Sequence, residues 1–306
     1  MTRRIAVTGA TGFLGRHAIA PLIKDGFEPH LLVRAAEPAR ALHGSNVGVS
    51  IVDLMDPASV RRALGEAQAQ TLLHFAWHDD PATRWTSDAN QAWADATLDL
   101  ARAFAETGGE RLLVSGSCAE YDWSTEVLSE STPLAPASPY GAAKVALYQQ
   151  LRQEQAALGL SLVWGRVFFC YGPGEGPGRL IRDLIDRLMA GEPLNTTDGL
   201  QVRDYLHAGD VGRAFADLAG SGFDGAINIA SGEGVAVRDL VGTAARMLGR
   251  PELVRYGANP RSPSDPARLV ADVTLLRDTL GFRPLFDLET GLADTIADAK
   301  RSAAHA

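Results

Sequence analysis

The residues best suited to chemistry in this chain are Tyr140 and Lys144, four positions apart, together with Ser117 upstream of them. Side chains four apart on a helix project from the same face, so the phenol and the ammonium can converge on one ligand. The reference pKa of tyrosine is about 10, and a neighbouring cation lowers it. Ser117 follows the apolar run 112–114, where its hydroxyl can hydrogen-bond a reacting oxygen. The three residues predict acid–base chemistry, although a surface Tyr/Lys pair on a helix is also common.

A glycine turn near the N-terminus indicates a dinucleotide. Gly9, Gly12 and Gly15 lie between the apolar run 5–7 and a segment with helical periodicity. Glycine lets backbone N–H groups approach a pyrophosphate closely. A turn without a ligand is the alternative interpretation, but its position directly after the first predicted strand favours a dinucleotide. We assign these residues of the turn to cofactor binding: Gly9, Thr11, Gly12, Phe13, Leu14 and Gly15.

The next two predicted strands carry the residues expected to meet the adenosine. The run 31–33 ends in Arg34, where an NAD enzyme usually places an acid. An arginine there suits a 2′-phosphate, so NADP(H) is preferred and NAD(H) stays possible. An exposed arginine without a ligand is the alternative interpretation. Asp53 and Leu54, after the third predicted strand, are expected at the adenine edge.

Apolar runs and helical patterns alternate along the chain, which predicts an α/β fold with a doubly wound parallel sheet of the Rossmann kind. A smaller C-terminal α/β lobe for the substrate is expected beside it. The dinucleotide-binding domain is predicted over 1–170, completed by about 200–230, and the substrate lobe over 171–199 and 231–306. Glycine- and proline-rich loops at 172–178 and 259–266 fall in the C-terminal half. The predicted strands are 5–7, 31–33, 49–52, 72–76, 112–115, 160–167 and 226–229.

Composition narrows the class of protein. The 306 residues are 46% hydrophobic with a net charge of −8, and no dense basic run is present, so a nucleic-acid partner is disfavoured. No stretch approaches the ~20 apolar residues of a membrane span, and the apolar run before Gly9 is too short for a signal peptide. We therefore expect a cytoplasmic protein without a membrane partner. Cys118 and Cys170 lack metal-ligand spacing, which predicts no metal and two partly buried thiols.

These motifs together resemble the extended short-chain dehydrogenase/reductase family, the group of nucleotide-sugar epimerases, dehydratases and ketoreductases that depend on NAD(P). The similarity covers nearly the whole chain. It includes His-Phe-Ala at 74–76, Arg-Val-Phe-Phe-Cys-Tyr-Gly-Pro at 166–173 and Arg-Asp-Tyr-Leu-His at 203–207.

The resemblance implies roles for individual residues. Ser117, Tyr140 and Lys144 would form the catalytic trio, with Lys144 also holding the hydroxyls of the nicotinamide ribose. Arg203 and Arg261 would neutralise the diphosphate of a nucleotide-sugar, since guanidinium groups pair well with phosphate oxygens. A surface salt bridge is the alternative for either arginine. The remaining assignments are Phe75, Ala76 and Phe168 to the cofactor, and Phe169, Ser117 and Tyr140 to the substrate.

Departures from the family pattern restrict the reaction. Dehydratases carry an Asp-Glu pair after the catalytic hydroxyl residue, whereas Ser117 is followed by Cys118 and Ala119. The 3,5-epimerases need a further acid–base pair, and the corresponding positions here hold Ala119 and Gly174. Phe169 stands where many members place an asparagine that contacts the sugar or its phosphate. Both dehydration and 3,5-epimerisation are therefore disfavoured. Three residues after the fourth predicted strand either line the sugar pocket or pack: Trp77, His78 and Trp85.

The reaction that remains is NADPH-dependent reduction of the 4-keto group of a nucleotide-diphosphate 4-keto-6-deoxyhexose, in deoxysugar biosynthesis. One alternative is a nucleotide-sugar 4-epimerase with tightly bound NAD. An alternative of another class is a non-catalytic NADP-binding regulatory protein. The helical segments 85–106 and 140–157 correspond to those that pair in dimeric family members, so a homodimer is expected.

Overall fold

A computed structural model describes residues 3–45, 47–78 and 80–304. The outermost ends of the two predicted domains, residues 1–2 and 305–306, lie outside it. The strands of the described residues are β1 Arg3–Thr8, β2 Phe27–Val33, β3 Gly48–Ile51, β4 Thr71–His74, β5 Arg111–Ser117, β6 Val127–Leu128, β7 Ser161–Val167, β8 Phe169–Tyr171, β9 Leu194–Asn195, β10 Val202–His207, β11 Gly225–Ile229, β12 Gly234–Ala236, β13 Val254–Arg255 and β14 Arg268–Ala271. The helices are α1 Ile19–Lys24, α2 Ala36–His43, α3 Pro57–Ala67, α4 Ala89–Glu106, α5 Pro139–Leu158, α6 Leu180–Met189, α7 Ala208–Gly220, α8 Val237–Met247, α9 Thr274–Leu280 and α10 Leu288–Ala304.

The larger sheet has seven strands in the order β11-β7-β5-β4-β1-β2-β3 within the described part of the chain, and every neighbouring pair is parallel. The strand order reverses between β1 and β4, which is where ligands bind in such sheets, outside the carboxyl ends of the strands. The α/β fold with a doubly wound parallel sheet is confirmed.

The first structural unit is strand, glycine turn and helix, as the sequence indicates. Ile5 and Val7 are completely buried in β1, and the turn leads into a short 3₁₀ segment, Gly15–His17. The α-helix begins only at Ile19 because Pro21 has no N–H to donate to the carbonyl of residue 17. A single continuous helix after the turn is therefore replaced by two short ones.

Two element boundaries predicted from the sequence differ from those in the structure. β4 ends at His74 rather than at residue 76, because the backbone N–H of Ala76 donates to the Thr8 hydroxyl at 3.4 Å instead of to a neighbouring strand. The helix expected from residue 85 begins at Ala89, after turns that precede it.

The helix that carries the predicted Tyr/Lys pair has defined ends. Ser138 caps the start of α5, where its hydroxyl accepts a hydrogen bond from Gly141 N at 3.2 Å, and Pro139 is the first helical residue. Gly159 ends the helix in the left-handed conformation, with φ of 66°. These caps fix which face of α5 meets the sheet.

The smaller sheet is ordered β12-β10-β14-β6, with β8 paired to β10; its strands come from the C-terminal half except β6, which the N-terminal half contributes beside β14. The chain enters it directly from β7, since β8 begins two residues after β7 ends. Helices α6, α8 and α10 share a separate apolar cluster. No helix among residues 3–45, 47–78 and 80–304 is long and apolar enough to cross a membrane.

Candidate active site

The glycine turn after β1 is shaped by close contacts. Gly9 has φ of +68°, and a Cβ there would lie 2.7 Å from the backbone nitrogen of Ala76. A Cβ on Gly15 would lie 2.2 Å from the carbonyl oxygen of Gly9. Gly12 has more space and lines the cavity at the carboxyl ends of the strands. The turn is therefore a backbone cradle that side chains would fill, which fits a dinucleotide pyrophosphate.

Arg34, Asp53 and Leu54 line the same cavity at the ends of β2 and β3. Arg34 and Asp53 are exposed. The Asp53 carboxylate accepts a hydrogen bond from the backbone of Met55 at 2.9 Å, which holds this acid at the start of the following turn. The structure thus brings the three residues assigned to the adenosine to one edge of the sheet.

Ser117, Tyr140 and Lys144 meet at the cavity. Ser117 is the last residue of β5, and its side chain lies on the cavity wall beside that of Tyr140, where it lowers the pKa of the phenol. Lys144 Nζ donates to the carbonyl of Ser115 at 2.8 Å and lies 3.5 Å from the centre of the Trp77 ring. The two hydroxyls and the amine therefore lie together on one wall of the cavity.

Burial shifts the pKa values of this trio. Burial raises the pKa of Tyr140, and the neighbouring Ser117 side chain lowers it by less. Burial lowers the pKa of Lys144 to about 7, against the opposing effect of the Glu120 carboxylate. Tyr140 is thus a protonated phenol at neutral pH, and the lowering of its pKa by a neighbouring cation that the sequence predicts is not found, because burial outweighs the effect of Arg179.

A buried ion pair is hydrogen-bonded to the backbone of Ser117. Glu120 is 0% exposed and accepts hydrogen bonds from Ser117 N at 2.7 Å and from Arg166 Nε at 2.8 Å. The indole of Trp164 donates to the same carboxylate. Several donors therefore converge on the Glu120 carboxylate, as a buried charge requires. This network fixes the strand end on which Ser117 sits.

Trp77 and Trp85 both line the cavity and pack against Tyr140. Asn90 accepts a hydrogen bond from Trp77 Nε1 at 2.8 Å, which fixes the indole. His78 also lines the cavity. The phenol of Tyr140 is therefore bracketed by two aromatic rings at centroid distances of 6.4 and 5.3 Å.

The two arginines assigned to a diphosphate lie in different places. Arg203 lines the cavity, is 5% exposed, and pairs with Asp265. Its guanidinium lies 5.5 Å from the centre of the Phe169 ring, so this phenylalanine contributes an aromatic face where relatives have an amide. Arg261 is not among the described residues that line the cavity, and it lies 3.9 Å from Asp198.

The cavity that unites these residues has a volume of about 1080 Å³. Pockets for a drug-sized ligand typically range over about 300–1,000 Å³, so this cavity is at the large end of that range. It extends from the ends of β2 and β3, past the trio, to Arg203 on β10. Phe75, Ala76 and Phe168 line it as well.

A model of the NAD dependent epimerase/dehydratase family matches residues 5–230. The chain belongs to this family. A UDP-glucose 4-epimerase of Streptomyces lividans is 30% identical, with 93% of this chain and 92% of the relative covered. A dTDP-4-dehydro-6-deoxy-D-allose reductase of Streptomyces bikiniensis is 29% identical, with 96% and 95% covered.

The solved structure of a Thermus thermophilus UDP-glucose 4-epimerase in complex with NAD superposes with a TM-score of 0.86 at 27% identity, over 97% of this chain and 99% of that one. This epimerase/dehydratase family member is an NAD(P)-dependent oxidoreductase of the extended short-chain dehydrogenase/reductase type. The alternative of a non-catalytic regulatory protein is set aside.

The sequence did not indicate several of the residues that line the cavity. Glu175, Arg179 and Asp265 line it, and all three come from irregular segments or helix starts in the C-terminal half. The glycine- and proline-rich composition of these segments indicated loops that face a ligand. It carried no signal for which side chain in each loop points inward.

Proposed function

We propose that this enzyme reduces the 4-keto group of a nucleoside-diphosphate 4-keto-6-deoxyhexose with NADPH. The observation that carries the proposal is the position of Ser117, Tyr140 and Lys144 together on the wall of one cavity, with Cys118 and Ala119 following Ser117 in the sequence. Burial raises the pKa of the Cys118 thiol, and alanine cannot exchange protons. The positions next to Ser117 therefore supply no second acid–base group for elimination or for epimerisation beside a ketone.

Each residue of the catalytic trio has a separate role in such a reduction. The bound cofactor supplies hydride. Tyr140 gives its proton to the carbonyl oxygen as negative charge develops there, and the Ser117 hydroxyl stabilises the same oxygen by a hydrogen bond. Lys144 binds ribose hydroxyls when its amine is turned from Ser115 and Trp77 toward the cofactor. The Trp77 and Trp85 rings keep water away from the phenol.

Support for NADPH comes from the end of β2. Arg34 is exposed on the cavity edge, and its guanidinium suits a 2′-phosphate better than the unmodified ribose. NADH is expected to work less well. Comparing the two cofactors in the same assay tests this part of the proposal.

Support for a nucleotide-sugar comes from Arg203, a buried guanidinium in the cavity. Its charge is balanced by Asp265, and a diphosphate can take over that role on binding. We place the substrate between strand β10, which carries Arg203, and the lobe formed by residues 171–199 and 231–306. Arg261 reaches the diphosphate only if the loop that carries it moves from Asp198.

The experiment is to mix the enzyme with dTDP-4-keto-6-deoxyglucose and NADPH, or NADH, and follow nicotinamide absorbance. The proposal expects oxidation of NADPH that is lost in Tyr140→Phe, while that variant still binds the cofactor. Absence of oxidation with both cofactors contradicts a reductase of this substrate.

A 4-epimerase with tightly bound NAD is the second candidate, favoured by the Streptomyces lividans relative. An epimerase of this kind interconverts UDP-glucose and UDP-galactose without added cofactor and carries NAD through purification. Release of NAD from the denatured protein, together with that interconversion, would favour this candidate over the reductase.

We also propose a cytoplasmic homodimer built on α4 and α5, which pack against each other along the face of the sheet. The chain has a mass of 32.5 kDa. Light scattering at micromolar concentration should give twice this mass, and a mass equal to one chain would remove the dimer.

A further inference from the structure

Glu175 is a carboxyl group that the proposed reaction leaves unexplained. It lies in the loop that follows β8, lines the main cavity, and is 5% exposed. Its Oε2 atom is buried and has no hydrogen-bond partner among the described residues. A buried carboxylate oxygen without a donor is costly, because burial removes the water that would otherwise solvate it.

The loop holds this side chain in place from several sides. The backbone N–H of Gly174 donates to Asp298 at 3.2 Å, and the carbonyl of Pro173 is bonded to His17 at 2.9 Å. The carbonyl of Glu175 itself accepts from Arg182 at 3.4 Å. Contacts to the first helical segment, to α6 and to α10 therefore fix the backbone from which the carboxyl projects.

The charges around Glu175 do not neutralise it. Burial raises its pKa to about 7, while Arg179, a backbone hydrogen bond from Arg182 and the more distant Arg84 act in the opposite direction. Asp183 raises the pKa further. The effect of burial outweighs that of the cations, so the carboxyl still lacks a full partner.

The position of Glu175 points to the substrate part of the cavity. Its charge acts on Tyr205 of β10, the strand that also carries Arg203. The residues assigned to the adenosine lie instead at the ends of β2 and β3. The ligand that binds beside β10 therefore supplies the group that completes the hydrogen bonding of Glu175.

We propose that Glu175 is a specificity-determining residue whose free carboxyl oxygen accepts a hydrogen bond from a hydroxyl or amino group on the sugar of the nucleotide-sugar. This inference rests on the proposed function and adds that Glu175 recognises a hydroxyl or amino group of the sugar. A site built to pair such a group rejects analogues that lack it, because the carboxyl is then left buried and unpaired.

The test compares ligands that differ only by the sugar. Binding of dTDP and of dTDP-4-keto-6-deoxyglucose is measured by calorimetry in the presence of NADP⁺, so that no turnover occurs, for the wild type, Glu175→Leu and Glu175→Gln. Glu192→Leu, an exposed position at the end of α6, is the matched control. Thermal unfolding of each variant confirms that it is folded.

The inference expects Glu175→Leu to bind dTDP and NADP⁺ as the wild type does, and to bind the nucleotide-sugar at least about tenfold more weakly. Glu175→Gln keeps an acceptor oxygen and should lose less. Equal affinity of Glu175→Leu and wild type for the nucleotide-sugar overturns the inference, as does an equal loss for dTDP or a loss confined to NADP⁺. If the wild type binds neither nucleotide ligand, the proposed function itself fails, and the inference fails with it.

Discussion

Replacing Glu175 by glutamine should change how the stability of the protein depends on pH. Burial raises the pKa of this carboxyl from 4.5 to about 7. Between these pH values the folded chain binds more protons at Glu175 than the unfolded chain does, so the wild type loses stability as pH rises through this range. One pKa unit corresponds to about 1.4 kcal/mol, so the full loss above pH 7 amounts to about 3 kcal/mol. Glu175→Gln has no charge to bury and escapes this loss.

The assay is urea unfolding of wild type and Glu175→Gln across this pH range. The variant should be more stable than the wild type by about 3 kcal/mol near pH 8, and the difference should vanish as pH falls toward 4.5. Taking the difference removes the titration of all other groups, and Glu192→Gln, at an exposed carboxyl, should show no such trend. A difference that is constant across pH, or of opposite sign, refutes the reasoning that Glu175 is a buried and incompletely paired acid.

Three further changes test the supports of the site. Glu120→Ala leaves the buried Arg166 charge without its carboxylate, and urea unfolding should show a loss of about 3–5 kcal/mol; a loss below about 1 kcal/mol would argue against the pair. Gly9→Ala places a Cβ 2.7 Å from backbone and should abolish NADPH binding in a fluorescence titration, whereas Gly26→Ala, with similar φ but open space, should bind normally. Trp77→Leu removes the ring beside the catalytic ammonium, lowers the lysine pKa, and should move the basic limb of the pH–rate profile to lower pH; an unchanged limb contradicts this role.

The larger sheet could be predicted closely because its strands are buried on both faces. Such strands appear in the sequence as compact apolar runs, and the run 226–229 differs from β11 by one residue. The smaller sheet was not resolved from the sequence. Strands such as β6, β9 and β13 have two residues each, too few to show a period of alternation.

The candidate site likewise contains residues that the sequence could predict and residues that it could not. Tyr140 and Lys144 were predictable because a fixed spacing on one helix places them together. The pairing of Glu120 with Arg166, 46 positions apart, arises only when β5 and β7 lie side by side. The position of the loop that carries Glu175 likewise depends on contacts with two distant segments, at His17 and Asp298, which no local pattern encodes.

The central claim is a net reduction at the sugar carbonyl, and isotope transfer tests it most directly. The enzyme is incubated with dTDP-4-keto-6-deoxyglucose and NADPH carrying deuterium at the transferred position, and the sugar product is analysed by mass spectrometry. A reductase places the deuterium on C4 of the sugar, with one equivalent of NADPH oxidised per product. A sugar product that contains no deuterium, formed without consumption of NADPH, would contradict the account and leave the 4-epimerase as the activity of this site.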